Sequence, residues 1–136
     1  MSTGLRARCN ARAALTDIHL ALPFFSYAPA PRGAPKILYI KTDVTSAEAV
    51  ASAAAQIKAT FKRQPTFLLN CAGIGTGETI LTSPEEMITK IWKVNTLANW
   101  VTVKQFLPYM ISHNHGHVFT VASSSSYMGE LHLLYY

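Results

Sequence analysis

Charged residues are scarce in this chain of 136 residues, where they make up 14% of the total. Twelve basic and seven acidic residues give a formal net charge of +5, and Arg6, Arg8 and Arg12 at the start contribute part of it. A nucleic-acid-binding surface concentrates basic residues on one face, with aromatic residues between them. The sequence contains no such cluster, so we expect no nucleic-acid partner.

Cysteine and long apolar runs are also rare. The two cysteines, Cys9 and Cys71, lie far apart and show no CxxC or Cys/His spacing, which argues against a disulfide framework and a zinc motif. The apolar stretch HLALPFFSYAPAP contains three prolines and is too short to span a bilayer. Because no signal-peptide pattern is present either, we expect a cytoplasmic protein without a transmembrane segment.

A complete phosphate-binding loop is missing as well, although FLLNCAGIGTGETI resembles the start of one. Its glycines are Gly73, Gly75 and Gly77. A dinucleotide-binding fingerprint needs GxGxxG at the beginning of a helix, but Glu78 occupies the last position and the next helix is predicted only near Ser83. Two interpretations stay open: a flexible loop, or the wall of a ligand crevice at the end of a strand.

The sequence does contain four apolar runs of strand length. They cover Arg12–Ile18, Lys36–Val44, residues 66–73 and the start of residues 116–126, which continue into a serine-rich loop. The third run is continuously apolar, which predicts a strand covered on both faces. Four prolines between the first two runs predict a long loop there.

Two helical regions separate the later strands. The first is predicted to begin at an N-cap at Thr45 or Ser46 and to end before Pro65. The second begins at Ser83, with a proline and two acids in its first turn, and runs to about His113 with a break near Asn95. Strands that alternate with helices predict an α/β fold with a doubly wound parallel sheet, in one domain over residues 1–136.

Three motifs, in the same order, resemble the short-chain dehydrogenase/reductase family. NCAG follows a strand, VNT lies within the second helical region, and VASSSSYMG follows the last strand. In that family NNAG is followed by a helical asparagine and by a serine thirteen residues before the tyrosine of YxxxK. Counting from Ser123 gives Tyr136. VNTLANW and SSSYMG are most similar to retinol-dehydrogenase-like and steroid-dehydrogenase-like members.

The resemblance implies an NAD or NADP cofactor and a set of residues that bind it. An acid at Asp17 would bind the adenosine ribose and favour NAD, because it would repel the 2′-phosphate of NADP. Asp43 would accept a hydrogen bond from the adenine, with Val44 against the ring. The residues beside the adenosine ribose would be Asn70, Ala72 and Gly73, and Asn70 would also tie neighbouring strands together. From the residues alone, Asp17 and Asp43 could equally cap the segments that follow them.

The resemblance also implies an alcohol or carbonyl substrate and three catalytic residues. Asn95 would hold a water in the proton path, Ser123 would bind the substrate oxygen, and Tyr136 would transfer the proton while hydride moves to or from the nicotinamide. Structural alternatives are open for each of them. Asn95 could bond a helix carbonyl, Ser123 could be one of several loop serines, and Tyr136 could be a terminal residue without a role.

The match with the family is incomplete. Cys71 replaces the second asparagine of NNAG, nothing before Asp17 resembles the TGxxxGxG loop, and the lysine expected after Tyr136 is absent. A tyrosine with a pKa near ~10 is a poor base without positive charge beside it. We therefore expect a partial Rossmann-like sheet that lacks its first strand and the strands after the fifth, and a chain that is inactive alone.

Loss of the first strand would leave open sheet edges, through which such a chain could self-associate. The alternative function is thus a non-catalytic α/β module that pairs with a full-length relative.

The HNHGH segment suggests a metal site at first sight. However, no acid or cysteine lies near His113, His115 and His117 in the sequence, and histidines suit the negative end of a helix without any metal. We expect no metal site.

Overall fold

The computed structural model describes residues 11–16, 36–75 and 77–127. In chain order, these residues form strands β1 (Ala11–Thr16) and β2 (Lys36–Lys41), helix α1 (Ala47–Phe61), strand β3 (Phe67–Asn70), helices α2 (Glu85–Trp92) and α3 (Ala98–Ser112), and strand β4 (His117–Thr120). A π-helical turn, Lys93–Leu97, joins α2 to α3, and a 3₁₀ turn, Ser124–Ser126, follows β4. The predicted α/β class is confirmed.

The strands form two separate parallel pairs. In the first pair β1 lies beside β2, with Ala11 opposite Lys36, and in the second pair β3 lies beside β4, with Phe67 opposite His117. Among the described residues, no strand joins the two pairs by hydrogen bonds. A doubly wound sheet of order 3-2-1-4-5-6 divides in this way when its first strand is missing, so the arrangement agrees with the predicted partial Rossmann-like sheet.

Helix α1 begins and ends at well-defined caps. The side chain of Ser46 accepts a hydrogen bond from the Ala49 N–H at 3.1 Å, so the N-cap is Ser46 rather than Thr45. At the other end Lys62 adopts a left-handed conformation with φ of 61°, and its N–H donates to the Lys58 carbonyl at 2.9 Å. The helix therefore ends before Pro65, as predicted.

One apolar core connects both strand pairs to the helices. It includes Ile40 of β2, Leu68 of β3, Val50 and Ile57 of α1, and Phe106 of α3. Because residues from both pairs pack against α1 and α3, the two pairs share one helical layer. Burial of side chains in that layer supplies the main stabilising term between them.

The opposite face of β3 is open, and every residue of β4 is exposed. Phe67, Leu69 and Phe119 are exposed by 57%, 54% and 50%, and the rings of Phe67 and Phe119 stack with centroids 4.9 Å apart. The prediction that β3 is covered on both faces is wrong for the described residues, because the helices pack against only one of its faces. The continuous apolar run nevertheless gave the correct position of the strand.

The turn from α3 into β4 requires a glycine. A Cβ atom at Gly116 would come within 2.5 Å of the Met110 side chain, which is buried in the core. That approach is far inside van der Waals contact, so a larger residue here would have to displace Met110.

Within the described part of the chain, no helix has the length and apolarity that a membrane crossing requires.

Candidate functional site

A cavity of about 520 Å³ opens where β3 and β4 end. Its walls come from the residues after β3, from the segment between α2 and α3, and from the residues after β4: Cys71, Ala72, Gly73, Ile88, Ile91, Trp92, Asn95, Thr96, Asn99, Thr120, Val121, Ala122 and Ser123. Open α/β sheets bind ligands at the carboxyl ends of their strands. The cavity thus lies where a ligand is expected, and four residues predicted from the sequence line it: Ala72, Gly73, Asn95 and Ser123.

Asn95 lies in the π-helical turn, at the predicted helix break. Its side chain forms a reciprocal pair with the backbone of Ile74: Oδ1 accepts from the Ile74 N–H at 2.9 Å, and Nδ2 donates to the Ile74 carbonyl at 2.9 Å. The carbonyl that Asn95 bonds is therefore in the loop after β3, not in a helix. Single π-helical turns inside helices occur frequently at functional sites.

Ser123 lies on another wall of the cavity, in the first residues after β4. Its Oγ accepts a hydrogen bond from the Ser125 N–H at 3.2 Å and so caps the 3₁₀ turn that follows. The serine is half-buried.

Asn70 is near the cavity in sequence but does not line it. It is buried on the face of β3 that packs against α3, where its Oδ1 accepts from the Thr102 hydroxyl at 2.8 Å. Its Nδ2 is also buried and has no hydrogen-bond partner among the residues that the structure describes. The side chain of Asn70 thus bonds a helix, while its backbone carbonyl accepts from the Val121 N–H, directly after β4, at 2.8 Å.

Asp43 and Val44 lie at the end of β2, outside the cavity lining. Asp43 Oδ1 accepts from both the Thr45 hydroxyl, at 2.7 Å, and the Thr45 N–H, at 2.9 Å. The first of these bonds, and then the second, hold the pKa of Asp43 below its usual value. Val44 is buried, with 4% of its surface exposed. The local bonds agree with the alternative in which Asp43 stabilises the turn before α1.

Two predicted site residues, Asp17 and Tyr136, lie outside the described residues. Their roles stay predictions from the sequence.

Sequence reasoning missed three residues of this region: Trp92, Asn99 and Thr102. Asn99 Nδ2 donates to the Asn95 carbonyl at 2.8 Å, and Trp92 forms part of the cavity wall. Asn99 lies four residues after Asn95, which is one helical turn, and Thr102 is a polar residue on the buried face of α3. The four-residue spacing of Asn99 from Asn95 and the polar character of Thr102 were both visible in the sequence VNTLANWVT.

The described residues contain no group of three His, Cys, Asp or Glu side chains close enough to hold a metal ion. His113 Nδ1 lies 2.9 Å from both the Tyr109 carbonyl oxygen and the Ser112 hydroxyl at the end of α3. The rings of His115 and His117 are 6.4 Å apart.

Comparison with known proteins shows which family the chain belongs to. The family model of the short chain dehydrogenases matches residues 27–136. The chain belongs to the short-chain dehydrogenase family. The similarity of NCAG, VNT and VASSSSYMG to the motifs of that family therefore reflects homology.

Three curated relatives illustrate the match. Dehydrogenase RED3 of Cochliobolus heterostrophus is 38% identical over 100 residues, which are 74% of this chain and 50% of that protein. Retinol dehydrogenase 10-B of Danio rerio is 38% identical, over 66% of this chain and 26% of the relative. Estradiol 17-beta-dehydrogenase 11 of Pongo abelii is 35% identical, over 74% of this chain and 33% of the relative. The chain thus matches half or less of the length of each of these short-chain dehydrogenases.

A solved structure agrees with the fold. The apo form of LigD from Sphingobium sp. strain SYK-6 superposes with a TM-score of 0.66 at 31% identity, covering 71% of this chain and 42% of LigD. The resemblance to the short-chain dehydrogenase family stated from the sequence is confirmed.

Proposed function

We propose that this chain belongs to an NAD(P)-dependent oxidoreductase that interconverts an alcohol and a carbonyl by hydride transfer. The observation that carries the proposal is the cavity at the ends of β3 and β4, which Asn95 and Ser123 line from different walls. Membership of the short-chain dehydrogenase family supports the same chemistry. The cofactor would be NAD or NADP, and Asp17 favours NAD.

The described residues fit one part of such a cofactor. Ala72 and Gly73, both small, follow β3 at the cavity, so a flat ligand can approach the backbone there. Polar groups at this edge can hydrogen-bond ribose hydroxyls, and Asn70 would support the loop from behind. When bound, the nicotinamide ring would give or take the hydride. The part of the cofactor for which the described residues show no fit is the pyrophosphate, since NCAGIGTGE fails as a phosphate-binding loop.

The chain's own residues would then hold the substrate and move the proton. The Ser123 hydroxyl would donate to the substrate oxygen, and Tyr136 would exchange a proton with that oxygen. Asn95 would order the proton path, with its side chain keeping the loop at Ile74 in place. Tyr136 would need positive charge beside it to act as a base, because a tyrosine is otherwise protonated near neutral pH.

The apolar residues of the cavity suggest the kind of substrate. Ile88, Ile91, Trp92 and Val121 contribute hydrophobic surface to its walls. Two of the relatives are named for retinol and estradiol, which are both bulky apolar alcohols. We propose a substrate of that chemical class.

The proposal is tested with purified chain, NAD(P)H and a panel of apolar ketones and aldehydes. Cofactor binding is measured by fluorescence and turnover by cofactor absorbance. Ser123→Ala should lower kcat/KM by about 10²-fold, the usual effect of removing a hydrogen-bond donor to a reacting oxygen. Ser112→Ala is the matched control, because Ser112 is an exposed serine at the end of α3.

The split sheet favours a second candidate, a non-catalytic module that pairs through its edges. Each strand pair ends in an edge without a strand partner among the described residues, and such edges bind other strands. Self-associated particles in gel filtration, together with equal rates for wild type, Ser123→Ala and Ser112→Ala, would favour this module over the oxidoreductase.

A further inference from the structure

We propose that Asn99 is a positioning residue of this site and acts through the main-chain carbonyl of Asn95. Its Nδ2 donates to that carbonyl oxygen at 2.8 Å, and both residues line the cavity. The inference rests on the proposed function, in which Asn95 orders the proton path. It gives a role to a residue to which the family resemblance stated above assigned none.

The Asn99 bond is made at a π-helical turn. In an α-helix the N–H of residue 99 would donate to the carbonyl of residue 95. In the turn Lys93–Leu97 the Ala98 N–H donates to the Lys93 carbonyl, five residues earlier. At the Asn95 carbonyl the side-chain amide of Asn99 acts as a donor, at 2.8 Å.

Asn99 and Ile74 together fix Asn95 at both its side chain and its backbone. Ile74 bonds Oδ1 and Nδ2 of Asn95, each at 2.9 Å, and Asn99 bonds its carbonyl oxygen. Hydrogen bonds in such a network depend on one another. We therefore expect the Asn99 bond to set the orientation of the Asn95 peptide and, through the Asn95 side chain, the position of the loop after β3.

A neighbouring residue supplies the design of the test. The Thr102 hydroxyl reaches the carbonyl of Ala98, four residues earlier, at 3.2 Å. A serine at position 99 should therefore be able to reach the Asn95 carbonyl in the same way. An alanine offers no donor, and an aspartate turns the donor into a charged acceptor that repels the carbonyl.

The first arm of the experiment needs no turnover. Amide hydrogen exchange is followed at Ile74, whose N–H bonds Asn95, in wild type and in Asn99→Ala, Asn99→Asp and Asn99→Ser. Asn99→Ala should speed the exchange about fivefold, the effect of losing one hydrogen bond, and Asn99→Asp should speed it more. Asn99→Ser should stay close to wild type.

Lys104→Ala, an exposed change on the same helix, is the control. Equal exchange at Ile74 in wild type, Asn99→Ala and Lys104→Ala would overturn the positioning role. Thermal unfolding of each variant identifies any that fail to fold. If Asn99→Ala does not fold, Asn99→Ser is compared with wild type instead. Exchange at Ile74 in Asn99→Ser that is as fast as in an unfolded chain would also overturn the positioning role.

The second arm measures turnover with the same variants. Asn99→Ala should lower kcat about fivefold and leave the Kd for NAD(P)H unchanged, and Asn99→Ser should restore kcat. Turnover that depends on Ser123 but not on Asn99 would overturn the positioning role. No turnover in any variant, together with the expected exchange pattern, would instead reject the proposed function and keep the structural part of the inference.

Discussion

The two faces of β3 differ sharply although they share one short strand. Leu68 and Asn70 are buried against α3, with 6% and 8% of their surface exposed, whereas Phe67 and Leu69 are more than half exposed. All of them belong to one short segment, FLLN, in which the polar Asn70 lies on the buried face and the apolar Phe67 and Leu69 lie on the open one. What distinguishes them is the layer of helices on one side, so burial at this strand is a property of the tertiary arrangement.

The sharpest way to break this comparison is to truncate the two adjacent leucines. Leu68→Ala should lower the free energy of unfolding by about 2–5 kcal/mol, because it leaves a hole in a packed core. Leu69→Ala removes the same atoms from the open face and should cost less than about 0.5 kcal/mol. Urea unfolding of both variants checks this, and equal losses would mean that the open face is covered in solution.

A second prediction concerns the polar contact on the buried face. Thr102→Val keeps the shape of the side chain but removes the donor to Asn70 Oδ1. We expect a loss of about 1–3 kcal/mol, since a buried acceptor is left without its partner. Thr96→Val, a change to a half-buried threonine at the cavity, is the control. A Thr102→Val variant as stable as wild type would contradict a structural role for the Asn70 bond.

The smallest expected effect lies at the end of β2, where all the bonds are local. The pKa of Asp43 is lowered by its bonds to Thr45, so the folded state binds a proton less readily than the unfolded state. The carboxylate therefore adds stability above its unfolded pKa of about 3.9, and that contribution is lost as the pH falls through the folded value.

The free energies of unfolding of wild type and Asp43→Asn should accordingly differ at neutral pH, and the difference should shrink as the pH falls below about 4. A difference that stays constant between pH 7 and pH 3 would contradict the assignment. The bonds to Thr45 are exposed, so the effect is expected to be far smaller than that of Leu68→Ala.

Local features of the molecule could be predicted from the sequence because they depend on neighbouring residues. The serine that caps α1, the end of that helix before Pro65 and the break at Asn95 all follow from side chains within a few positions. The position of β3 followed from its apolar run. The family resemblance implied that Asn95 and Ser123 belong to one site, and both line the cavity.

Features that depend on distant residues could not be predicted in the same way. Whether Leu69 is covered depends on helices that pack from elsewhere in the chain, and the partner of Asn70 is thirty-two positions away. The i,i+4 spacing of Asn99 was visible, but the bond from its side chain to the Asn95 carbonyl was found only in the structure. For Asp43 the sequence left two roles open, because an aspartate at this position suits both a local turn and a contact with the adenine of the cofactor.

The division of the sheet has a mechanical consequence. Hydrogen bonds between strands are directional and fix distance and angle within each parallel pair. Between the pairs, the described residues provide side-chain packing through Ile40, Leu68 and Phe106 instead, and dispersion contacts of that kind have no preferred direction. A change in the packing of α1 against α3 can therefore alter the angle between the two strand pairs without breaking a hydrogen bond within either pair.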